Sequence, residues 1–361
     1  MIKPYLPCHR PTVQAAAVLA AFAGVATLFA QPPAVPFDPT AINPAQARPD
    51  STGNGRLAGP GFAIAYSEGA GLLVASCEEG SLHYWEKDVA MGVRGADAAA
   101  HVVPAHHGPA TALVAAKTLI ASAGSDGKIL IWDLPGEKAV HTLDTGSVVR
   151  ALAASPDGKF LASAGDAGFV QLWDPATGKP GLKLEGPKDW LLAVAVSPDG
   201  KMVAAGGVEG KLYLWDAASG KSLAMVPAQA PPQPNAPPPD TNVVTALAFS
   251  PDSKQVAVGG SSAAIYLFEA ADGKFVRSMA AGHTSSITAL AFHPNSTLLV
   301  SASKDRTLRL WNPANGQLYK ALEGHTAWVQ GVTFLAQGTR LASVGADASV
   351  RLWDLSDPAK K

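Results

Sequence analysis

The sequence predicts an all-β domain built from seven repeats of four short strands, arranged radially as a propeller. Three observations carry that reading. A Trp-Asp-like site recurs seven times: Tyr84-Trp85-Glu86, Ile131-Trp132-Asp133, Leu172-Trp173-Asp174, Leu214-Trp215-Asp216, Leu267-Phe268-Glu269, Leu310-Trp311-Asn312 and Leu352-Trp353-Asp354. The aromatic residues are spaced 47, 41, 42, 53, 43 and 42 positions apart, and such a period fits one supersecondary unit per repeat. Between these sites lie β-branched and apolar runs broken by turn residues, which is strand chemistry and not helix chemistry.

Each strand of a unit can be placed, most clearly in the sixth. Ile287 to Phe292 is an apolar run, His293-Pro294-Asn295-Ser296 a turn, Leu298 to Ser303 a second strand, Asp305-Arg306 a turn and Thr307 to Trp311 a third strand. Leu318 to Leu322 follows the turn Pro313-Ala314-Asn315-Gly316 as the fourth. Ser155-Pro156-Asp157-Gly158, Ser197-Pro198-Asp199-Gly200 and Ser250-Pro251-Asp252-Ser253 recur in the first hairpin, where Pro fixes φ and Asp or Gly accepts the bend.

These residues resemble WD40 repeats over roughly residues 60 to 355. The family joins a Gly-His before the first strand to the Trp-Asp of the third, with an Asp in the intervening turn and a Ser or Thr on the second strand. Gly282-His283, Ser301, Asp305 and Trp311 match it, as do Gly324-His325, Ser343, Asp347 and Trp353, and in the second unit His106, Ser122, Asp126 and Trp132. The resemblance implies a structural tetrad in each of these blades, because a buried His needs hydrogen-bond partners. Thr145 and Ala167 replace His and Asp in blade three, Glu209 replaces Asp in blade four and Phe268 replaces Trp in blade five, so these blades are expected to rest more on packing. In the family the last blade is completed by an N-terminal strand, for which the stretch Gly55 to Ala58 is the candidate; the propeller is expected over 55–357.

Composition agrees with a turn-rich β protein: charged residues are only 16%, and 35 Gly and 29 Pro are present. A net charge of −1 supplies no footprint for nucleic acid or an anionic membrane, and neither is expected as a partner. Lys3, His9 and Arg10 precede the apolar run Val13 to Ala30, a secretory signal pattern, with an uncleaved membrane anchor over 1–30 as the alternative. Export to the periplasm or the extracellular space is expected either way, as a bacterial-type exported WD40 repeat protein. Residues 31–54 begin with Pro32, Pro33, Pro36, Pro39 and Pro44 and are expected to be a linker. Cys8 falls in the presumed signal, leaving Cys77 alone, so no disulfide framework exists.

No catalytic, metal or cofactor motif stands out. The nearest to a P-loop, Gly220-Lys221-Ser222 after Trp215, lacks the leading Gly and sits in a recurrent hairpin. His106-His107 would point to opposite sides of an extended chain, which argues against a metal pair. No cofactor is expected. The residues before the turn Asp position are Glu78, Ser125, Asp166, Val208, Ser261, Lys304 and Ala346, a mixed ring without the clustered ionisable groups of a catalytic mouth. A non-catalytic protein- or peptide-binding scaffold is therefore expected, with an enzyme or small-ligand propeller acting at the central channel as the alternative.

Strand alternation puts the second-to-third turns and the fourth-to-first connections on one face, the top, where WD40 partners most often dock. Trp190 and Trp328 fall there, outside the Trp-Asp series, with Arg150 and Gln330 two residues past the equivalent positions and Lys304 and Glu78 in the turn ring. Exposed Trp and Arg are interface-anchoring types, and these six residues are the candidate partner site; packing over the neighbouring blade is the alternative for the two Trp. The insertion from Pro227 to Asn242, with six Pro between Pro231 and Pro239, joins blades four and five on the same face. It is expected to be an extended loop, serving either as a lid or partner motif or as a tolerated expansion.

Overall fold

The computed structural model describes residues 48–86, 100–232, 240–279, 282–294, 298–335 and 338–356. The presumed signal, with Cys8, and the first part of the linker lie outside the described residues, as do residues 295–297 of the sixth-blade turn and 233–239 of the Pro-rich insertion.

Within the described residues, 28 strands form seven four-stranded antiparallel sheets. The inner strands, such as Leu191–Val196 in blade four, are buried along their whole length, whereas the outer strand Ser222–Pro227 of the same blade is largely exposed. This gradient explains why the first two strands of each repeat read as unbroken apolar runs: they have blades on both faces. The core therefore lies between blades. Trp311 packs with Ile265, Leu267 and Met279 of blade five, Trp353 with Leu308, Leu310 and Leu322 of blade six, and Phe268 with Leu212 and Leu214 of blade four. Each third-strand aromatic stitches its own blade to the preceding one, and Phe fills that role without needing an indole N–H.

The sixth blade runs Ile287–Phe292, Leu299–Ser303, Thr307–Trp311 and Leu318–Glu323, within one residue of expectation. Closure differs more. The strand that completes blade seven is Arg48–Arg56, not the short stretch Gly55 to Ala58, so residues 48–54 belong to the sheet and not to a linker. It pairs antiparallel with Ser349–Asp354, matching Gly55 to Val350 and Arg56 to Ser349. An outer strand needs backbone pairing more than apolar side chains, which is why RPDSTGNGR carries no strand pattern. Gly55 is required at its place: a Cβ there would lie 2.8 Å from the Trp85 ring of blade one.

Two further regularities organise the top. In all seven blades the residue before the turn donates its N–H to the carbonyl just before the inner strand: Glu78 to Pro60, Ser125 to Pro109, Asp166 to Val148, Val208 to Trp190, Ser261 to Val243, Lys304 to Ser286 and Ala346 to Trp328, at 2.8–3.1 Å. The inner strand then carries a bulge in six blades, where one extra residue sits between paired neighbours; in blade three Val149 pairs with Gly165 and Ala151 with Ala164, leaving Arg150 as the extra one.

Candidate functional site on the top face

The bulge decides which top-face residues are accessible. Arg150 and Gln330, expected to be exposed partner contacts, are only 7% and 5% exposed. The extra residue of the bulge is largely buried, and in three blades it contacts the next blade. Thr111, Thr245 and Thr288, at or beside the same position, donate their hydroxyls to the carbonyls of Val149, Ile287 and Val329 on the following inner strand. Arg150 follows the same rule by another chemistry: its guanidinium lies 4.8 Å from the ring centroid of Trp190 in blade four, and pairs with Asp166 through Nε and through Nη2 at 2.9 Å. Arg150 thus supports the surface from below.

Above that layer, the seven residues before the inner strands form a ring in which Trp190 and Trp328 are exposed, 37% each, while Pro60, Pro109, Val148, Val243 and Ser286 are half-buried. Each Trp stacks on a cation from the preceding blade. Lys304 places its ammonium 4.6 Å from the Trp328 centroid, and burial pushes its pKa down. Each indole thus packs on a cation while keeping 37% of its surface exposed. Glu78 is exposed in blade one.

Below the surface sit the polar tetrads. In blade two the His106 imidazole meets Asp126 at 3.1 Å through Nδ1 and Ser122 Oγ at 2.8 Å through Nε2, and Trp132 Nε1 donates to that Ser at 2.8 Å. Blade six joins His283, Asp305, Ser301 and Trp311 at 2.7, 2.7 and 2.8 Å; blade seven joins His325, Asp347, Ser343 and Trp353 at 3.0, 2.8 and 2.9 Å. The network fixes the tautomer. Because the carboxylate can only accept, Nδ1–H donates to it, and the neutral ring is left with a lone pair on Nε2 that accepts the Ser proton. Burial pushes His106 and His283 below the usual imidazole pKa against the pull of their Asp partners. Burial alone would lift Asp305 and Asp347, but hydrogen bonds from His283 and Thr307, and from His325 and Ser349, outweigh it and hold both carboxyls well below the usual range.

The other blades solve the same positions differently. Glu209 in blade four accepts from Lys188 N at 2.7 Å, Tyr213 OH at 2.7 Å and Lys211 Nζ at 3.1 Å, while Trp215 donates to the Glu185 carbonyl at 3.1 Å. In blade five the buried Asn242 side chain donates to Ala228 O at 2.7 Å and accepts from Ser262 N at 3.0 Å, tying together the two ends of the Pro-rich insertion. Asn242 was not singled out by sequence; its position just before the inner-strand ring was the available signal. His107 is exposed beside the buried His106, and Gly220 and Lys221 sit in the hairpin of blade four, so neither near-motif assembles a site. Among the described residues no group of three or more His, Cys, Asp or Glu is placed to hold a metal.

Comparison with known proteins agrees with this architecture. Residues 100–133 and 137–174 match the family model for the WD domain, G-beta repeat. Residues 185–351, which hold blades four to six and most of the three inner strands of blade seven, match the model described as Nucleolar protein 10-like, N-terminal domain. Curated relatives include the small ribosomal subunit protein RACK1 of Medicago sativa, 42% identical over 57 residues, which is 16% of this chain and 17% of that protein. RACK1 of Candida albicans is 46% identical over 52 residues, 14% of this chain and 16% of that one. The matched segment thus spans about a sixth of these relatives' length.

Proposed function

We infer that this chain, a seven-bladed β-propeller of WD40 repeats, is a non-catalytic scaffold that holds a protein or peptide partner on its top face. The observation that carries the reading is the pair of indoles. Trp190 and Trp328 stand three blades apart, each packed on a cation and still 37% exposed, in a ring whose remaining positions are half-buried. Aromatic anchors of this kind carry binding energy because they arrive with little rotamer freedom to lose. Lys304 and Glu78 border the surface; Arg150 and Gln330 act beneath it. The ribosomal and nucleolar words in the relatives' names belong to those proteins, and the short overlaps do not transfer a partner. We place the protein outside the cytoplasm on the signal pattern of residues 1–30, to be checked by sequencing the mature N-terminus.

The binding test is Trp190→Ala and Trp328→Ala, with a partner captured from the exported fraction. Each variant is expected to weaken the complex by about 2 kcal/mol or more, the range for central aromatic anchors. Binding unchanged per folded molecule in both variants would overturn the assignment of the top face.

A further inference from the structure

Blade three lacks both the His and the Asp of the tetrad but keeps the rest. Trp173 Nε1 still donates to Ser163 Oγ at 2.8 Å, as in the three complete blades. Thr145, in the His position, turns its hydroxyl to the carbonyls of Gly127 and Ser147 and away from Ser163. Ala167, in the Asp position, is exposed. Neighbouring residues have not collapsed into the space. A cavity of about 70 Å³ remains, lined by Thr145, Ser163, Ala167, Phe169 and Trp173 among others, where a single water needs on the order of 10–15 Å³.

Ser163 reports the vacancy directly. It is 6% exposed, whereas Ser122, Ser301 and Ser343 are sealed at 0% by the imidazoles of His106, His283 and His325. Its hydroxyl proton has only a long 3.4 Å contact with the Gln171 carbonyl in place of a 2.7–2.8 Å bond to imidazole nitrogen. The cavity is also lined by Ser147 and Val148, and Val148 is the blade-three member of the ring that holds Trp190 and Trp328.

We propose that blade three carries a binding pocket for a neutral imidazole ring, filled by a histidine side chain of the polypeptide docked on the top face. The ring would insert as the blade's own His does elsewhere, taking the Ser163 proton on one nitrogen and stacking its edge against Trp173, with its N–H directed past Ala167 to solvent or to an acceptor on the partner. The identity of the donor as a docked polypeptide rests on the scaffold reading above; the pocket's taste for imidazole does not.

The test uses the whole chain and two probes, imidazole and N-acetyl-histidine methylamide, at pH 8. The indole N–H resonance of Trp173, assigned by its loss in Trp173→Phe, is followed during titration. Saturable movement with a millimolar dissociation constant is expected for both probes, and loss of at least tenfold in affinity at pH 5.5, where the imidazolium has no lone pair to accept the Ser163 proton. Ala167→Asp supplies the missing carboxylate and is expected to tighten imidazole about tenfold. Thr145→His combined with Ala167→Asp fills the pocket from within and is expected to abolish binding. No saturable movement of the Trp173 signal, equal affinity at both pH values, or no gain in the folded Ala167→Asp variant would each overturn the pocket. Binding of free imidazole but not of the capped histidine would overturn the polypeptide donor. Because no partner is present in this titration, failure of the scaffold reading would leave its result unchanged.

Discussion

Removing the Asp347 carboxylate should expose how much a single tetrad contributes. The carboxylate accepts from His325 Nδ1 at 3.0 Å, Thr326 N at 2.8 Å, Ser349 N at 3.1 Å and Ser349 Oγ at 2.6 Å. Its side chain is 7% exposed and that of His325 is 0% exposed, so after truncation the imidazole Nδ1 keeps only the longer 3.3 Å contact with Ser349 Oγ. Thr326 is exposed, and its N–H can be hydrated after truncation. The penalty for Asp347→Ala is therefore set by the donors of His325 and Ser349 that lose the carboxylate, about 1–3 kcal/mol. With an unfolding entropy of roughly 2.1 cal/mol/K per residue over about 300 residues, that lowers Tm by about 2–5 °C. Asp305→Ala should behave alike, since His283 is buried in the same way. Asp157→Ala is the control. Asp157 makes real bonds: burial lifts its carboxyl, but bonds from Lys159, including its N–H at 3.1 Å, and from Ser155 Oγ at 2.8 Å together outweigh that and hold it down at about 2. It is nevertheless solvent-accessible, and water takes over when it is removed. Calorimetric melting at pH 7 of the three variants decides the matter: a drop for Asp157→Ala as large as for Asp347→Ala would refute the reasoning from buried donors.

Two other outcomes follow from the same geometry. His106 and His283 are kept neutral by burial, so below about pH 6.5 the unfolded chain binds protons that the folded one does not, and stability should fall as pH drops from about 7 to 5; urea melts should show that slope, and His283→Gln should flatten it. The contribution of Asp305 and Asp347, whose carboxyls are held down in the folded state, should be lost only below about pH 4. Gly207→Ala should be severe, because its Cβ would stand 1.9 Å from the Trp190 carbonyl, whereas Gly146→Ala meets nothing within 4 Å and suffers only from φ of 71°; about 3 kcal/mol against about 1 kcal/mol is expected, and the reverse order in thermal melts would rule out this account of the top-face ring.

The repeat was legible because inner strands are buried on two faces and hairpins demand particular residues. Ile287–Phe292 and Thr307–Trp311 could be bounded from sequence for that reason. The closing strand was hard to read because Arg48–Arg56 sits at the edge of its sheet, where pairing is by backbone and almost any side chain serves. The bulge was hidden for a different reason. A one-residue shift in register changes the side of the strand on which Arg150 and Gln330 emerge, and nothing in the residues VVRAL or WVQGV announces which pairing the second strand adopts. The vacancy in blade three was visible as two substitutions, Thr145 and Ala167, but their consequence depends on whether neighbours collapse, which is a property of packing and not of pattern.

That bulge also bears on what the top face can do. An anchor is effective when it is already held in its bound pose, since ordering a loose side chain costs about 0.5–1.5 kcal/mol. Trp190 is held from two directions: its carbonyl accepts the Val208 N–H at 3.1 Å, and its ring rests on Arg150, itself fixed by Asp166. Trp328 has the same arrangement, with Ala346 N at 2.8 Å and Lys304 beneath the ring. In the proposed site the buried Arg150 is the support on which Trp190 is held rather than a contact of its own. A consequence separates support from contact: replacing Arg150 should loosen Trp190 and weaken the complex without altering which partner is bound, whereas replacing Trp190 removes the contact itself.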